Sequence, residues 1–363
     1  MKEKMEAKKA LIAMSGGVDS SVAAYLTQKA GYTCIGCTMK LYEGETEDMD
    51  STCCSADDVA DAGAVAMRMG FPYYVFNMKE GFYEHVITPF ICAYEQGMTP
   101  NPCIDCNRYM KFGHLYERAN ELGCDKIVTG HYARIEEENG CYFLKKALDE
   151  SKDQSYVLYS MTQEQLSHTL FPLGNLKKSE TRQIATEQGF VNADKADSQD
   201  ICFVPDGDYA SVIERYTGKC YEPGDFVTED GRVLGRHRGI IHYTVGQRKG
   251  LGISAPEPLY VKRLDVARNR VVLSSNAELF ERTVHVGNFN WISGQVPKDT
   301  VTCKAKIRYR HREEAALAWV LADGSVAIRF EEPQRAITPG QSAVLYDGDR
   351  VLGGGIILGT EIP

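Results

Sequence analysis

Short apolar runs separated by longer amphipathic stretches set the pattern of the first two hundred residues. Residues 10–14 form an apolar run that ends in a glycine turn, and residues 18–30 follow with helical character. A second β-rich run covers 32–38. Ser55 is placed to cap a helix that continues to Met69, with Asp57 and Asp58 in its first turn. Residues 72–76 predict a third strand, and 126–129 a fourth after another helical segment. Strands alternating with helices of this length predict an α/β fold with a doubly wound parallel sheet. Ligands of such sheets bind at the carboxyl ends of the strands.

The texture changes after Pro205. From Pro223 onward the turn pairs Pro223-Gly224, Asp230-Gly231, Asp323-Gly324, Pro339-Gly340 and Asp347-Gly348 recur between short β-rich runs. That rhythm predicts two small all-β, barrel-like domains. The expected division is a catalytic α/β unit over 1–205, a central β domain over 206–280 and a C-terminal β-barrel over 281–363. No internal repeat or low-complexity tract interrupts it.

Composition narrows the class. A chain of 363 residues exceeds one ordinary core, and 43% hydrophobic with 25% charged residues describes a globular protein. No apolar stretch approaches the roughly 18 residues of a membrane span. The N-terminal run MKEKMEAKKA lacks the apolar core of a signal peptide and is too acidic for a transit peptide, so the expected compartment is the cytoplasm. Twelve cysteines in a chain that can build real cores are expected to be reduced. Cys34, Cys37, Cys92, Cys124, Cys141, Cys220 and Cys303 are assigned to packing, which leaves Cys53, Cys54, Cys103, Cys106 and Cys202 as candidates for chemistry. The net charge of −9 argues against a nucleic-acid partner on average but not locally.

Residues 15–21 read Ser-Gly-Gly-Val-Asp-Ser-Ser between the first strand and the first helix. Gly16 and Gly17 allow a tight turn that aims backbone N–H groups inward, and the helix adds its positive end. Ser15, Ser20 and Ser21 supply hydroxyls, and Asp19 is a candidate to hold a magnesium ion against the phosphates. The spacing is not that of a Walker A loop, which ends in Gly-Lys-Ser/Thr. The heptad resembles the pyrophosphatase loop of the ATP-pyrophosphatase superfamily. Members of that superfamily join AMP to a substrate oxygen and let a nucleophile displace it.

Two cysteine segments bear on which nucleophile is used. Residues 99–108, Thr-Pro-Asn-Pro-Cys-Ile-Asp-Cys-Asn-Arg, predict a stiff exposed loop, with a helix beginning near Asn107. Cys106 would then lie near a helix N-terminus, flanked by Arg108 and Lys111, in a setting that favours thiolate. The second segment, Asp197-Ser198-Gln199-Asp200-Ile201-Cys202-Phe203, predicts another loop.

Taken together these motifs resemble the bacterial tRNA-specific 2-thiouridylases along the length of the chain. Met39-Lys40, residues 129–134 (Thr-Gly-His-Tyr-Ala-Arg), residues 152–156 (Lys-Asp-Gln-Ser-Tyr), residues 306–310 and residues 338–341 belong to the same resemblance. It implies that Ala13, Met14, Ser15, Gly16, Gly17, Val18, Asp19, Ser20, Met39 and Gly130 bind ATP with magnesium. Asn101, Pro102 and Cys103 would meet the target base, with Cys106 as nucleophile and Cys202 as persulfide carrier. Lys152, Asp153, Gln154, Arg308 and Tyr309 would touch tRNA. The implied reaction is 2-thiolation of the wobble uridine of tRNAs for lysine, glutamate and glutamine. A cysteine desulfurase or sulfur-relay protein would load Cys202. Some relatives carry aspartate where this chain has Cys103, and the resulting Cys103-x-x-Cys106 pair with Cys202 leaves an iron–sulfur cluster open as an alternative.

Lys304, Lys306, Arg308, Arg310 and Arg312 alternate with other residues, which on a strand would line one face with five cations. That predicts phosphate contact, helped by Arg232, Arg236, His237, Arg238, Arg248 and Lys249. His131 reads equally as a group near the nucleotide or as a hydrogen-bonded wall residue. A monomer is expected in the absence of RNA. A small-molecule synthetase would leave the cysteine segments and the cationic run unused. A redox-sensing RNA module would leave the phosphate loop idle.

Overall fold

The computed structural model describes residues 7–42, 55–197, 201–204 and 207–362. Cys53, Cys54, residues 198–200 and the expected boundary at 205–206 lie outside the described residues.

Strands β1 (Lys9–Ala13), β2 (Thr33–Lys40), β3 (Tyr73–Asn77) and β4 (Lys126–Val128) pair in parallel. Ala10, Leu11 and Ile12 of β1 are fully buried, as a central parallel strand covered on both faces requires. Helix α1 (Val18–Lys29) follows β1, and α2 (Ala56–Met69) connects β2 to β3. Ser55 caps α2 in a reciprocal box with Asp58, and Gly70 ends it in the left-handed conformation. A hairpin of β5 (Ala133–Glu138) and β6 (Cys141–Lys146) leaves this sheet before β7 (Thr169–Leu170) returns to pair with β4. The order is β3-β2-β1-β4-β7.

The expected β-rich remainder forms two further sheets. β8 (Gly224–Val227), β9 (Val233–His237), β10 (Tyr260–Asp265) and β11 (Arg270–Ser274) make a four-stranded sheet in the order β10-β11-β8-β9. β12 (Phe280–Trp291), β13 (Val301–Lys306), β14 (Glu314–Val320), β15 (Val326–Arg335), β16 (Ser342–Asp347) and β17 (Arg350–Gly359) follow, and pairing of β12 with β17 closes them into a barrel. The hairpin β5–β6 joins this last sheet, with Arg350 opposite Lys145. The α/β unit therefore lends two strands to the barrel sheet.

Packing joins the units further. One apolar cluster runs from Leu11, Phe82 and Phe90 through Phe203 to Phe226, Ile241 and Val271, so the α/β unit and the central sheet share a core. A second joins Ile104, Phe112 and Tyr156 to Tyr346 and Val351 of the barrel. The hydroxyl of the fully buried Tyr156 donates to the Ser342 carbonyl at 2.8 Å.

Three expectations change. The cationic run leaves the strand early: β13 ends at Lys306, and Arg308, Arg310 and Arg312 lie in the following turn and loop, so no face carries five cations. Arg308 instead donates to the Ala336 carbonyl and to Thr338 Oγ1. Among the cysteines assigned to packing, Cys34, Cys37, Cys124 and Cys303 are buried, whereas Cys92, Cys141 and Cys220 are exposed. Burial pushes the Cys34 thiol up to about 11 and that of Cys303 to about 12, which keeps both inert. The helix expected from Asn107 starts five residues earlier, at Pro102, because Asn101 caps it through the Cys103 N–H at 3.1 Å and proline suits the first helical position.

The barrel grips the chain just before that helix. The Thr99 N–H donates to the Pro339 carbonyl at 2.8 Å, and Gln341 Nε2 donates to the Thr99 carbonyl at 2.7 Å. Gly340 has φ of +88°, and a Cβ there would lie 2.7 Å from the Thr99 nitrogen. Gly340→Ala is expected to loosen this contact, so that hydrogen exchange at the Thr99 amide speeds up at least about tenfold. Unchanged exchange would show that the barrel does not hold the loop.

Candidate active site

Residues expected to bind nucleotide gather at the carboxyl ends of β1, β2 and β4. Ala13 ends β1, Met39 lies near the end of β2, and Gly130 follows β4. Gly16 adopts φ of +76°, and a Cβ there would meet the Asp58 carbonyl oxygen at 2.4 Å. Only glycine permits that approach of the loop to α2. Gly130 is similarly required, since a Cβ would come within 2.8 Å of the Ser20 nitrogen. Ser20 Oγ accepts from the Ser15 N–H at 3.2 Å and donates to the Gly17 carbonyl at 3.0 Å, closing the loop on itself. Val18 opens α1, so the helix's free N–H groups face the turn.

Asp19 is not an empty carboxylate awaiting a metal. Lys178 Nζ donates to its two oxygens at 2.7 and 2.8 Å, and the Tyr132 hydroxyl donates to Oδ1 at 3.0 Å. A magnesium ion at Asp19 would have to displace the lysine, so the residues do not form a ready cation site there. Lys178 also reaches Asp197 at 2.8 Å. Asp197 accepts in addition from Arg182 at 2.9 Å and from Lys152 at 2.8 Å. Burial acts to raise the Asp197 carboxyl, but the hydrogen bonds from Lys152 and Lys178 outweigh it and hold the group at about 2. Asn192, 2% exposed, ties the loop from outside through its Nδ2 to the Gly16 carbonyl at 2.8 Å and to Ser21 Oγ at 3.0 Å. Lys178, Arg182, Asn192 and Tyr132 carried no role in the sequence reading, and no local motif marks the first three.

The candidate cysteines Cys106 and Cys202 border one core. Helix residues Pro102–Asp105 continue into a wider turn over Cys106–His114, with Met110 buried in the cluster shared with the central sheet and Ile104 and Phe112 buried in the barrel-side cluster. Cys103 stands exposed in the first turn, and Cys106 is half-buried one turn further in. The helix-end setting expected for Cys106 thus belongs to Cys103. Phe203 stacks edge-on against Phe82 and Phe90 at 5.8 and 5.2 Å, and the Tyr42 hydroxyl donates to the Cys202 carbonyl at 2.6 Å. Cys106 and Cys202 both pack against this same cluster. Among the described residues no group of three or more His, Cys, Asp or Glu side chains is arranged to hold a metal ion. The three cysteines do not stand as a prepared iron–sulfur site.

The residues expected to contact tRNA also converge. Tyr309 Oη lies 3.4 Å from the Asp153 carbonyl, and Lys306 sits over the rings of Tyr156 and Tyr309 at 5.8 and 5.9 Å. Asp153 and Gln154, however, use their side chains internally. Asp153 accepts from the Ala147 N–H at 3.0 Å and from Ser155 Oγ at 2.7 Å, and Gln154 Oε1 accepts from the Tyr132 N–H at 2.9 Å. His131 resolves as a wall residue. It is buried against Phe112 and Phe171, pairs with Thr129 at 2.7 Å, and is kept neutral first by burial and then by Lys111.

Comparison with known proteins agrees with this architecture. The tRNA methyl transferase HUP domain family matches residues 8–206, the PRC-barrel domain of the same group matches 210–275, and the aminomethyltransferase beta-barrel domain matches 281–357. A protein of Clostridioides difficile named tRNA-specific 2-thiouridylase MnmA is 48% identical over 96% of this chain and 98% of its own length. Its namesake in Acetivibrio thermocellus is 49% identical over 97% of this chain and 100% of its own. The chain belongs to the tRNA-specific 2-thiouridylase family.

Asp105, beside Cys106, is pushed up to about 6 by burial, which Arg108 only partly offsets. A carboxyl raised on folding binds its proton in the native state across pH 4–6 while the unfolded chain has released it, so stability falls as pH rises through that window. Asp105→Asn is expected to flatten this part of the denaturant-midpoint profile between pH 4 and 7. An identical slope in both proteins would remove Asp105 from the account.

Proposed function

We propose that this chain replaces the 2-oxygen of a tRNA uridine with sulfur at the expense of ATP. The observation that carries the reading is the convergence of Cys106 and Cys202 on one core. The strand-end phosphate loop adds the means of activation. The family to which the chain belongs uses ATP in this way, and the wobble uridine is the position its members' chemistry suits, since a loop base can be extruded into a pocket.

The loop 15–20 and the N-terminus of α1 hold the phosphates, and the uracil oxygen attacks the α-phosphorus as pyrophosphate leaves. AMP then becomes the leaving group on the base. The outer sulfur of a Cys202 persulfide bonds to the activated carbon. The Cys106 thiolate attacks the Cys202 sulfur, the S–S electron pair passes to the transferred sulfur, and C=S forms as AMP departs. A Cys106–Cys202 disulfide remains, which an external thiol must reduce before a sulfur-donor protein reloads Cys202. Magnesium enters with the nucleotide, whose phosphate oxygens supply its ligands. Asn101 and Pro102 shape the entrance for the base, with Cys103 exposed beside it. Lys152, Lys306 and Tyr309 offer a cationic and aromatic surface to the RNA.

The test is turnover of unmodified tRNA with ATP, magnesium, a thiol reductant and a cysteine desulfurase with cysteine as persulfide donor, on anaerobic protein, with thiouridine read by mass spectrometry and iron measured on each preparation. Under persulfide loading, Cys106→Ser and Cys202→Ser are expected to lose at least about a thousandfold in rate, while Cys103→Ser keeps activity. Loss in all three variants, with iron tracking activity, would replace the two-cysteine relay with a cluster. No thiouridine from the wild type would end the tRNA reading.

A further inference from the structure

We infer that the loop of residues 244–250, with Arg335 beside it, is a preset cationic seat for a phosphate of the bound RNA. The inference rests on the tRNA reading given above. Arg248 and Lys249 stand exposed at the tip of this loop, which lies between β9 and β10. The backbone beneath them is tightly tied. The Gly246 N–H donates to the Val261 carbonyl at 2.7 Å, and the Val261 N–H donates to the Gln247 carbonyl at 2.9 Å. Gln247 closes the loop from within, accepting from the Thr244 N–H and donating to the Lys249 carbonyl, each at 3.0 Å. Val245 and Leu251, both buried, anchor its flanks in apolar clusters. A phosphate arriving there meets backbone that is already ordered, so binding costs little conformational freedom.

Position ties the loop to the reaction. Thr244 Oγ1 lies 3.3 Å from Thr99 Oγ1, two residues before Asn101 and the entrance proposed for the base. Gly246 has φ of +87°, and a Cβ there would lie 2.8 Å from Ala336 Cβ, 3.5 Å from Arg335 Nη1 and 3.8 Å from Arg308 Nη2. Tyr309, next to Arg308 in the chain, belongs to the surface already offered to RNA, so the seat carries that surface onto the central domain. Charge supplies the ligand class. Arg335 donates to Asn276 Oδ1 at 2.9 Å and lies over the Tyr260 ring at 5.0 Å. Among the described residues no carboxylate is ion-paired with Arg248, Lys249, Arg308 or Arg335. Burial, and then the nearby Arg335 charge, both act against the charge on Arg308. Cations gathered without a counter-ion, in a chain of net charge −9, leave an anion to be supplied from outside. Guanidinium groups match phosphate oxygens, and a nucleotide flanking the target uridine brings one.

The experiment measures binding of unmodified tRNA to the full chain at salt concentrations from about 50 to 200 mM, for the wild type and two double variants. One combines Arg248→Ala with Lys249→Ala, both at exposed positions where folding is not at stake. The other combines Lys29→Ala with Lys298→Ala, removing the same charge from exposed positions on α1 and between β12 and β13. In the loop variant the slope of log affinity against log salt should become shallower by about 0.7–1.8, the loss of one or two phosphate contacts. Its affinity at the lowest salt should fall about tenfold or more, while the second variant follows the wild type. Combining Arg248→Lys with Lys249→Arg should keep the wild-type slope, since the charge is kept. A loop variant whose slope equals that of the wild type, or changes no more than that of the second variant, overturns the seat and spares the tRNA reading. Wild type that binds no tRNA overturns both.

Discussion

Residue 99 is where the three parts of this molecule are made to agree. Its N–H and carbonyl are both taken by the barrel turn at 339–341, and its hydroxyl lies 3.3 Å from that of Thr244 in the central domain. Two residues further on, Asn101 starts the helix that carries Cys103 and Cys106. A backbone held on both sides cannot shift without breaking hydrogen bonds that water reaches poorly, so the helix start inherits the barrel's position. Arg308 then acts at one remove. By holding Ala336 and Thr338 it fixes the approach to the turn that grips Thr99. A residue expected to meet RNA is first a brace for the cysteine helix.

The phosphate loop and the cysteine helix answer to different physics. The loop is defined by backbone proximity, with Gly16 and Gly130 pressed against Asp58 and Ser20. The helix is defined by side-chain burial on two sides, Met110 toward one core and Phe112 toward another. The ion network of Asp19, Lys178 and Asp197 adds a charge-based tie at the first turn of α1, while one apolar cluster joins Leu11 and Met39 to Met110 of the helix. The proposed RNA face asks of a chain of net charge −9 only a local excess of cations, at Lys152 and Lys306, rather than an even spread.

Much of the fold is legible from residues whose physics is local. The continuous apolar run at 10–12 must be a covered parallel strand, and Ser55 with Asp58 must cap a helix. Two further signals are equally local. Asn101-Pro102 pairs a strong N-cap with the proline favoured at the next position, and Asn139-Gly140, both at positive φ, form the tight turn of the β5–β6 hairpin. What could not be read is long-range. Nothing near Lys178 announces two aspartates 159 residues upstream and 19 residues downstream in the chain, because an ion pair leaves no periodic trace. The alternation from Lys304 to Arg312 suggested a strand face, but spacing alone does not say where a strand stops, and β13 ends at Lys306.

The loan of β5–β6 to the barrel sheet has a consequence during synthesis. The hairpin leaves the ribosome with β6 unpaired, and its partner β17 begins at Arg350, about two hundred residues later. At ordinary elongation rates that interval is about 10–40 s, long enough for an open strand edge to find a neighbouring nascent chain. The hairpin is charged along both strands, through Glu136-Glu137-Glu138 and lysines 145 and 146, and charged side chains on an edge strand disfavour pairing with another chain. Translation order is thereby written into which strand of the barrel sheet is charged.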